Sequence, residues 1–321
     1  MNMHSPLSLN QLIKTFIASL WMILSIPLLA QKHGRGVPEP TKANVAYGTH
    51  ERQVLDVWLA EGDGPRPVVV YYHSGGWYEG SKERMARAIK AQQLLDAGIS
   101  IVAANYRLIP RKAKSAETID LKTPPPVDAP LRDAARALQF VRHHAKEWNI
   151  NPNKVGVTGG SAGGCTSLWL AFHDDMADPK SDDPVLRQST RVSCAAAGWA
   201  QTTLDPVQGR EWIPDLKYGA HAFGLASVEE AVAKRDQIEP WIKMYSPAAS
   251  VTSDDPPVYL FFSKAPALGQ GGGDATHSTN FGAGLKAICD KAKVPCELYF
   301  KGAENVAHNN TTSYLISRLE K

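Results

Sequence analysis

Apolar residues along this chain fall into two patterns that take turns. Short runs, apolar at nearly every position or at every second one, occur at 54–59, 67–72, 100–105, 154–158, 192–197, 258–263 and 297–300. Between many of them lie longer stretches with apolar residues at helical spacing, at 81–97, 128–148, 165–172 and 281–293. In the second of these, Leu131, Ala135, Leu138 and Val141 share one face of a helix that is predicted to start near Asp128. The alternation predicts an α/β fold with a mainly parallel sheet and helices on both faces. The runs 67–72 and 258–263 are apolar almost throughout, as expected of strands covered on both sides. Ligands of such sheets bind where loops leave the carboxyl ends of the strands.

Two regions break the alternation. Residues 111–126 are charged and then proline-rich, which predicts an excursion over the surface. Residues 205–246 carry Trp212, Tyr218, His221, Phe223, Trp241 and Tyr245 among many polar residues. Such aromatics either line a substrate pocket, as a lid or cap insertion does, or form a satellite core under a long insertion. No repeat or linker divides residues 31–321, which are read as one domain.

Composition narrows the classes of partner. The chain has 321 residues, 43% of them apolar, enough to bury a sizeable core. Its formal net charge of +3 and the lack of a basic run interleaved with aromatics exclude nucleic acid as an expected partner. Residues 15–30, TFIASLWMILSIPLLA, carry no charge, are interrupted by Pro27 and end at Ala30 before Gln31, Lys32 and His33. We read 1–30 as a secretory signal peptide cleaved after Ala30, with an uncleaved anchor as the alternative, and expect a secreted or periplasmic protein with no stable membrane span after cleavage. In such a compartment disulfides persist, and Cys289 and Cys296, flanking a probable turn, are the better candidate pair; Cys165 and Cys194 lie in apolar surroundings and read as buried free thiols. No Cys/His cluster has metal-ligand spacing, so neither a metal nor another cofactor is expected.

The strongest chemical signal is Gly159-Gly160-Ser161-Ala162-Gly163, placed between a strand-like and a helix-like run. Small residues around a serine at a strand-to-helix switch permit a turn tight enough to thrust the hydroxyl out of the backbone, within reach of a base and a substrate. The run has neither the lysine of a P-loop nor the spacing of a dinucleotide fingerprint. A serine nucleophile needs a base and an acid to orient that base, in the chain order Ser, Asp or Glu, His. We assign the base to His308, in the loop of small and polar residues after the last strand-like run. The acid is assigned to Asp274, the first carboxylate after the run 258–263; Asp254 and Asp255 precede that run, and Glu304 is too near His308 in sequence. His277, three residues after Asp274, could be mistaken for the base. His73-Ser74-Gly75-Gly76-Trp77, directly after the run 67–72, supplies backbone amides for an oxyanion, with His73 fixing the loop and a further amide coming from Ala162.

With His73–Trp77, then Asn105-Tyr106-Arg107-Leu108, then Gly159-Gly160-Ser161-Ala162-Gly163-Gly164 in that order, the chain resembles the α/β-hydrolase superfamily. Within it, the likeness is to the esterase/lipase group that holds hormone-sensitive-lipase-like enzymes and feruloyl and acetyl-xylan esterases. It runs from about Tyr47 to the C-terminus and includes Asp133-Ala134-Ala135-Arg136-Ala137 and Trp148–Pro152. The resemblance implies the α/β-hydrolase fold, Ser161 as nucleophile, Asp274 as acid, His308 as base, and oxyanion donors at Ser74, Gly75 and Ala162. Ser74 stands where the group usually has glycine, and the acid lies farther beyond its strand than is usual. The expected activity is that of a serine esterase working through an acyl-enzyme, on acetyl or feruloyl groups of polysaccharides. Alternatives are a short-chain carboxylesterase or lipase of small lipophilic esters, a serine peptidase on the same fold, and an extracellular binding protein that has kept the fold without activity.

Overall fold

The computed structural model describes residues 33–34, 36–113 and 118–320. The segment read as a signal peptide lies outside these residues. Among the described residues no helix is long and apolar enough to cross a membrane.

Eight strands form one sheet: β1 (Lys42–Ala46), β2 (Val54–Trp58), β3 (Arg66–Tyr72), β4 (Ser100–Ala104), β5 (Ile150–Gly160), β6 (Cys194–Gly198), β7 (Val258–Phe261) and β8 (Cys296–Tyr299). Their spatial order is β1-β2-β4-β3-β5-β6-β7-β8. β1 pairs with β2, and β2 with β4, in antiparallel fashion, and all other pairs are parallel. This mixed, mostly parallel sheet flanked by helices is of the α/β class that the alternation predicts and matches the α/β-hydrolase fold that the resemblance implies. The strand order reverses at β3, which pairs with β4 on one side and β5 on the other, so the crevice beyond the carboxyl ends of β3 and β5 is where such a sheet binds ligands.

The pleat sorts side chains onto two faces. Val68, Val70 and Tyr72 of β3 join one core cluster, whereas Val69 and Tyr71 join the other. The first face is covered by α2 (Asp128–His143), α3 (Ala162–Phe172) and α7 (Thr279–Ala292), through Leu131, Leu138, Leu168, Phe281 and Leu285. The second is covered by a 3-10 helix (Lys82–Arg87), α1 (Ala91–Asp96) and α8 (Thr311–Leu319), through Met85, Leu94, Tyr314 and Leu315. Thus the single helical stretch expected at 81–97 is two short helices. β1 was not predicted, because its KANVA sequence is mostly exposed and carries no apolar run.

The segment 205–246 folds as α4 (Pro206–Trp212), a 3-10 turn (Ala220–Phe223), α5 (Val228–Ala233) and α6 (Glu239–Tyr245). Phe223, Val228, Ile242 and Tyr245 are buried and continuous with the main core, while Tyr218 lines the cavity over Ser161. Core packing and pocket lining are therefore divided within one segment. The motifs carrying the family likeness have structural work as well. Asp133, buried on α2, receives the Arg107 guanidinium at 2.7 to 3.0 Å, the Arg107 amide at 2.8 Å and the Gln53 amide group at 2.8 Å, which fixes the chain after β4 against α2. All four cysteines are free thiols. The expected partners Cys289 and Cys296 do meet, and the Cys296 thiol is raised by its hydrogen bond with Cys289 and by burial.

Candidate active site

Ser161 occupies the turn from β5 into α3 with φ 52° and ψ −120°, a conformation that non-glycine residues rarely adopt and that aims the hydroxyl away from the sheet. Its amide donates to the Gly198 carbonyl at 2.8 Å and its carbonyl accepts from Cys165 at 2.9 Å, so both sides of the turn are pinned. The flanking glycines are required by space. A Cβ on Gly159 would lie 2.5 Å from the Tyr72 carbonyl oxygen, and one on Gly163 would lie 2.8 Å from the His73 carbonyl oxygen and closer still to that of Tyr72.

The Ser161 Oγ lies 3.1 Å from Nε2 of His277, whose Nδ1 lies 2.7 Å from Oδ2 of Asp274. With Asp274 ionised, Nδ1 carries the proton and donates it to the carboxylate, which leaves Nε2 as acceptor for the serine hydroxyl. Asp274 is also the cap of the 3-10 turn Ala275–His277, accepting from the Thr276 and His277 amides at 3.1 and 3.3 Å. Partial burial raises the Asp274 carboxyl, but the His277 ring and these amides outweigh it and hold the group below its ordinary value. The dyad is open to solvent, with the two side chains 35% (His277) and 65% (Asp274) exposed.

His308 is not brought to Ser161, which corrects the expectation. After β8 the chain brings His308 back beside Glu297, the second residue of that strand. There the His308 ring Nδ1 pairs with Glu297 of β8 at 2.8 Å, and its amide donates to the same carboxylate at 2.6 Å. Its carbonyl accepts from the Tyr259 hydroxyl at 3.2 Å, and its ring stands edge-on to Tyr314, 5.4 Å between centroids. Tyr259 and Tyr314 belong to the second core cluster, so these contacts commit His308 to packing. The signal for His277 was the Asp-x-x-His spacing itself: a carboxylate that caps a 3-10 turn meets the side chain three residues on.

The loop after β3 that is expected to supply oxyanion donors is held by partners that the sequence did not reveal. His73 is fully buried, stacked on Tyr106 at 3.9 Å, with Nδ1 donating to the Ser74 carbonyl and Nε2 facing the Arg52 guanidinium at 3.3 Å. Arg52 also donates to the Tyr106 and Gly80 carbonyls, tying both ends of the loop to the β1–β2 turn. From the other side, His221 donates to the Gly76 carbonyl at 3.0 Å. Trp77, at φ 61°, sends its indole N–H to Thr166, whose hydroxyl donates to the Ala162 carbonyl. Loop and nucleophile turn are thereby one hydrogen-bonded unit. Ser74, Gly75, Gly76 and Ser161 share the wall of a cavity of about 640 Å³ with His277, Asp274, Trp199 and Tyr218. The Ser74, Gly75 and Ala162 amides make no hydrogen bond within the protein among the described residues.

Burial lowers the His73 imidazole to about 3, so it is neutral near pH 7. A histidine buried neutral gains no proton on folding, so its contribution to stability is present above its unfolded value near 6.5 and is lost as pH falls toward 3. Between pH 6.5 and 4.5 this one group is expected to remove about 2 kcal/mol. In His73→Asn, which keeps a donor to Ser74, urea unfolding should show a pH dependence shallower by about that amount; an identical slope would assign the acid sensitivity elsewhere.

His33, Asp56 and Glu83 place potential metal ligands within 4.8 Å of one another. The Lys82 ammonium lies 2.8 Å from both carboxylates, so a cation of the protein itself already fills that cluster.

The family model described as BD-FAE matches residues 55–267. Among curated proteins, a probable carboxylic ester hydrolase, LipM, of Mycobacterium tuberculosis is 27% identical over 232 residues, covering 70% of this chain and 48% of that protein. The chain thus spans about half or less of the length of curated relatives it matches. Among solved structures, an acetyl ester-xyloside bifunctional hydrolase from Caldicellulosiruptor lactoaceticus superposes with a TM-score of 0.56 at 25% identity, over 77% of this chain and 76% of that one. A truncated carbohydrate esterase from gut microbiota shares the fold, with a TM-score of 0.61 at 19% identity over 89% of this chain and 100% of the other.

Proposed function

Because this chain belongs to the BD-FAE family, with its α/β-hydrolase fold, and not specifically to the hormone-sensitive-lipase-like branch, we propose that it is a serine carboxylic ester hydrolase. Ser161 is the nucleophile, His277 takes the role first assigned to His308, and Asp274 orients His277. The observation that carries this reading is the continuous hydrogen-bond chain from Asp274 through His277 to Ser161 Oγ in the wall of the large cavity.

His277 Nε2 takes the hydroxyl proton as Oγ attacks the ester carbonyl, and the imidazolium that forms is stabilised by Asp274. The negative charge that develops on the carbonyl oxygen is met by the amides of Ser74, Gly75 and Ala162, the last at the N-terminus of α3, where helix geometry leaves it without a partner. His277 then returns its proton to the departing alcohol, and a water, activated by the same nitrogen, releases the acid from Ser161. Acyl groups on carbohydrates are the proposed substrates. This is supported by the acetyl ester hydrolase among similar structures and by the open site, where an exposed base and acid leave room for a bulky alcohol.

Ser161→Ala should reduce p-nitrophenyl acetate hydrolysis by about 10³-fold or more. Equal rates for the two proteins would remove the esterase reading. A panel of acetylated xylan, feruloylated sugars and p-nitrophenyl esters of increasing length then ranks acyl and alcohol preference.

A further inference from the structure

One wall of the cavity over Ser161 is chemically unlike the rest. Tyr71, on β3 two residues before His73, is 1% exposed and lines the cavity, yet its hydroxyl has no hydrogen-bond partner among the described residues. Its hydroxyl is not one of the fully buried polar atoms left without a partner, so the phenol is closed off except where its oxygen meets the cavity, and there it can donate to a ligand in place of solvent. Arg84 and Arg87 line the same wall. They lie three residues apart on the 3-10 helix Lys82–Arg87, where side chains at that spacing eclipse, so both guanidinium groups project from one face. Burial raises the Tyr71 phenol, and the fields of Arg84 and then Arg87 pull it back, as neighbouring cations do.

The negative charges on this cavity are few. Glu79 lies 3.4 Å from Arg84 in an exposed pair, which holds that guanidinium weakly. Asp274 is engaged by His277. Arg87 is exposed and makes no ion pair among the described residues. A phenol donor and two guanidinium groups on one wall supply the donors that a planar, two-oxygen carboxylate accepts from.

We infer that Tyr71, Arg84 and Arg87 form an anion subsite that binds a carboxylate carried by the ester substrate. A uronyl sugar is the form of that chemistry expected for a carbohydrate ester. The inference rests on Ser161 being an ester-cleaving centre, and it deepens that reading by naming a charged substrate class.

Binding and turnover test the two claims separately. In the full-length Ser161→Ala protein, calorimetry with an O-acetylated methyl glucuronoside and the matching methyl glucoside should show about 10-fold tighter binding of the acidic sugar at low salt, declining with added sodium chloride. Tyr71→Phe, which keeps the ring in the core, and Arg87→Gln should each reduce that preference by about threefold or more. Equal affinity for the two sugars together with no preference for p-nitrophenyl hemisuccinate over p-nitrophenyl acetate, or a preference untouched by both substitutions, would overturn the subsite. A preference seen instead for p-nitrophenyl hemisuccinate over p-nitrophenyl acetate supports the subsite and puts the carboxylate on the acyl side. If unsubstituted protein hydrolyses none of these esters, the esterase reading falls, while the binding preference still decides the subsite.

Discussion

Replacing His277 with Gln is expected to lower kcat for p-nitrophenyl acetate by about 10³-fold, while His308→Gln leaves it within about twofold of the unsubstituted protein. The contrast follows from where the two rings are held. His277 is 3.1 Å from Ser161 Oγ, with its other nitrogen fixed by Asp274. A glutamine there cannot take the proton, so the serine attacks as a neutral alcohol. His308 spends its ring on Glu297 and its edge on Tyr314, away from the cavity. Its loss is expected to lower Tm by a few degrees through that packing, without changing turnover. Steady-state kinetics of the two variants on one ester decide the matter, and the reverse pattern would restore His308 as base.

The second large effect is expected at the Ser161 turn. Gly163→Ala places a methyl group against the Tyr72 and His73 carbonyl oxygens, main-chain atoms at the end of the strand that leads into the oxyanion loop. Neither side can yield cheaply, because the turn is pinned through Gly198 and Cys165 and the loop through Arg52 and Trp77. A cost of about 3 kcal/mol is expected, at the upper end for overpacking. For a domain of this size that corresponds to a fall in Tm of roughly 5 °C, with activity falling in the fraction that still folds. Gly160→Ala is the control, since its added methyl would be 3.7 Å from the Gly198 carbonyl oxygen, an ordinary contact. Its stability should stay within about 0.5 kcal/mol of the original. Equal melting temperatures for the two variants would mean that the elbow is not space-limited at Gly163.

These two predictions divide along what a sequence can disclose. The elbow was legible because its requirement is local: glycines at fixed offsets from Ser161, between an apolar strand and a helix. The parallel strands were legible for the same reason, since Val68–Tyr72 and Val258–Leu260 are buried on both faces and nearly every residue shows it. β1, with its half-buried lysine and exposed asparagine, gave no such mark. His308 was expected beside Ser161 because the usual chain order puts the histidine after the last strand, and only the path of the chain beyond β8 decides whether it reaches Ser161 or Glu297, the partner it has here. That path depends on contacts between residues 11 apart in sequence for the His308–Glu297 pair and 49 apart for His308 and Tyr259. Arg52 and His221, which hold the oxyanion loop from opposite sides, are 28 residues from Gly80 and 145 from Gly76, and no spacing rule reaches that far. The wall built by Tyr71, Arg84 and Arg87 was hidden for a related reason: a tyrosine in an apolar strand reads as core until its hydroxyl is seen facing a cavity.

Labelling with a fluorophosphonate followed by intact-mass and peptide analysis tests the Ser161–His277 pairing most directly, because it reads the nucleophile and its activation in one reaction. A single adduct on Ser161 is expected, absent in Ser161→Ala, formed at an unchanged rate in His308→Gln and slowed by about 10²-fold or more in His277→Gln. Labelling of another residue, or a rate that collapses in His308→Gln and survives in His277→Gln, would contradict it.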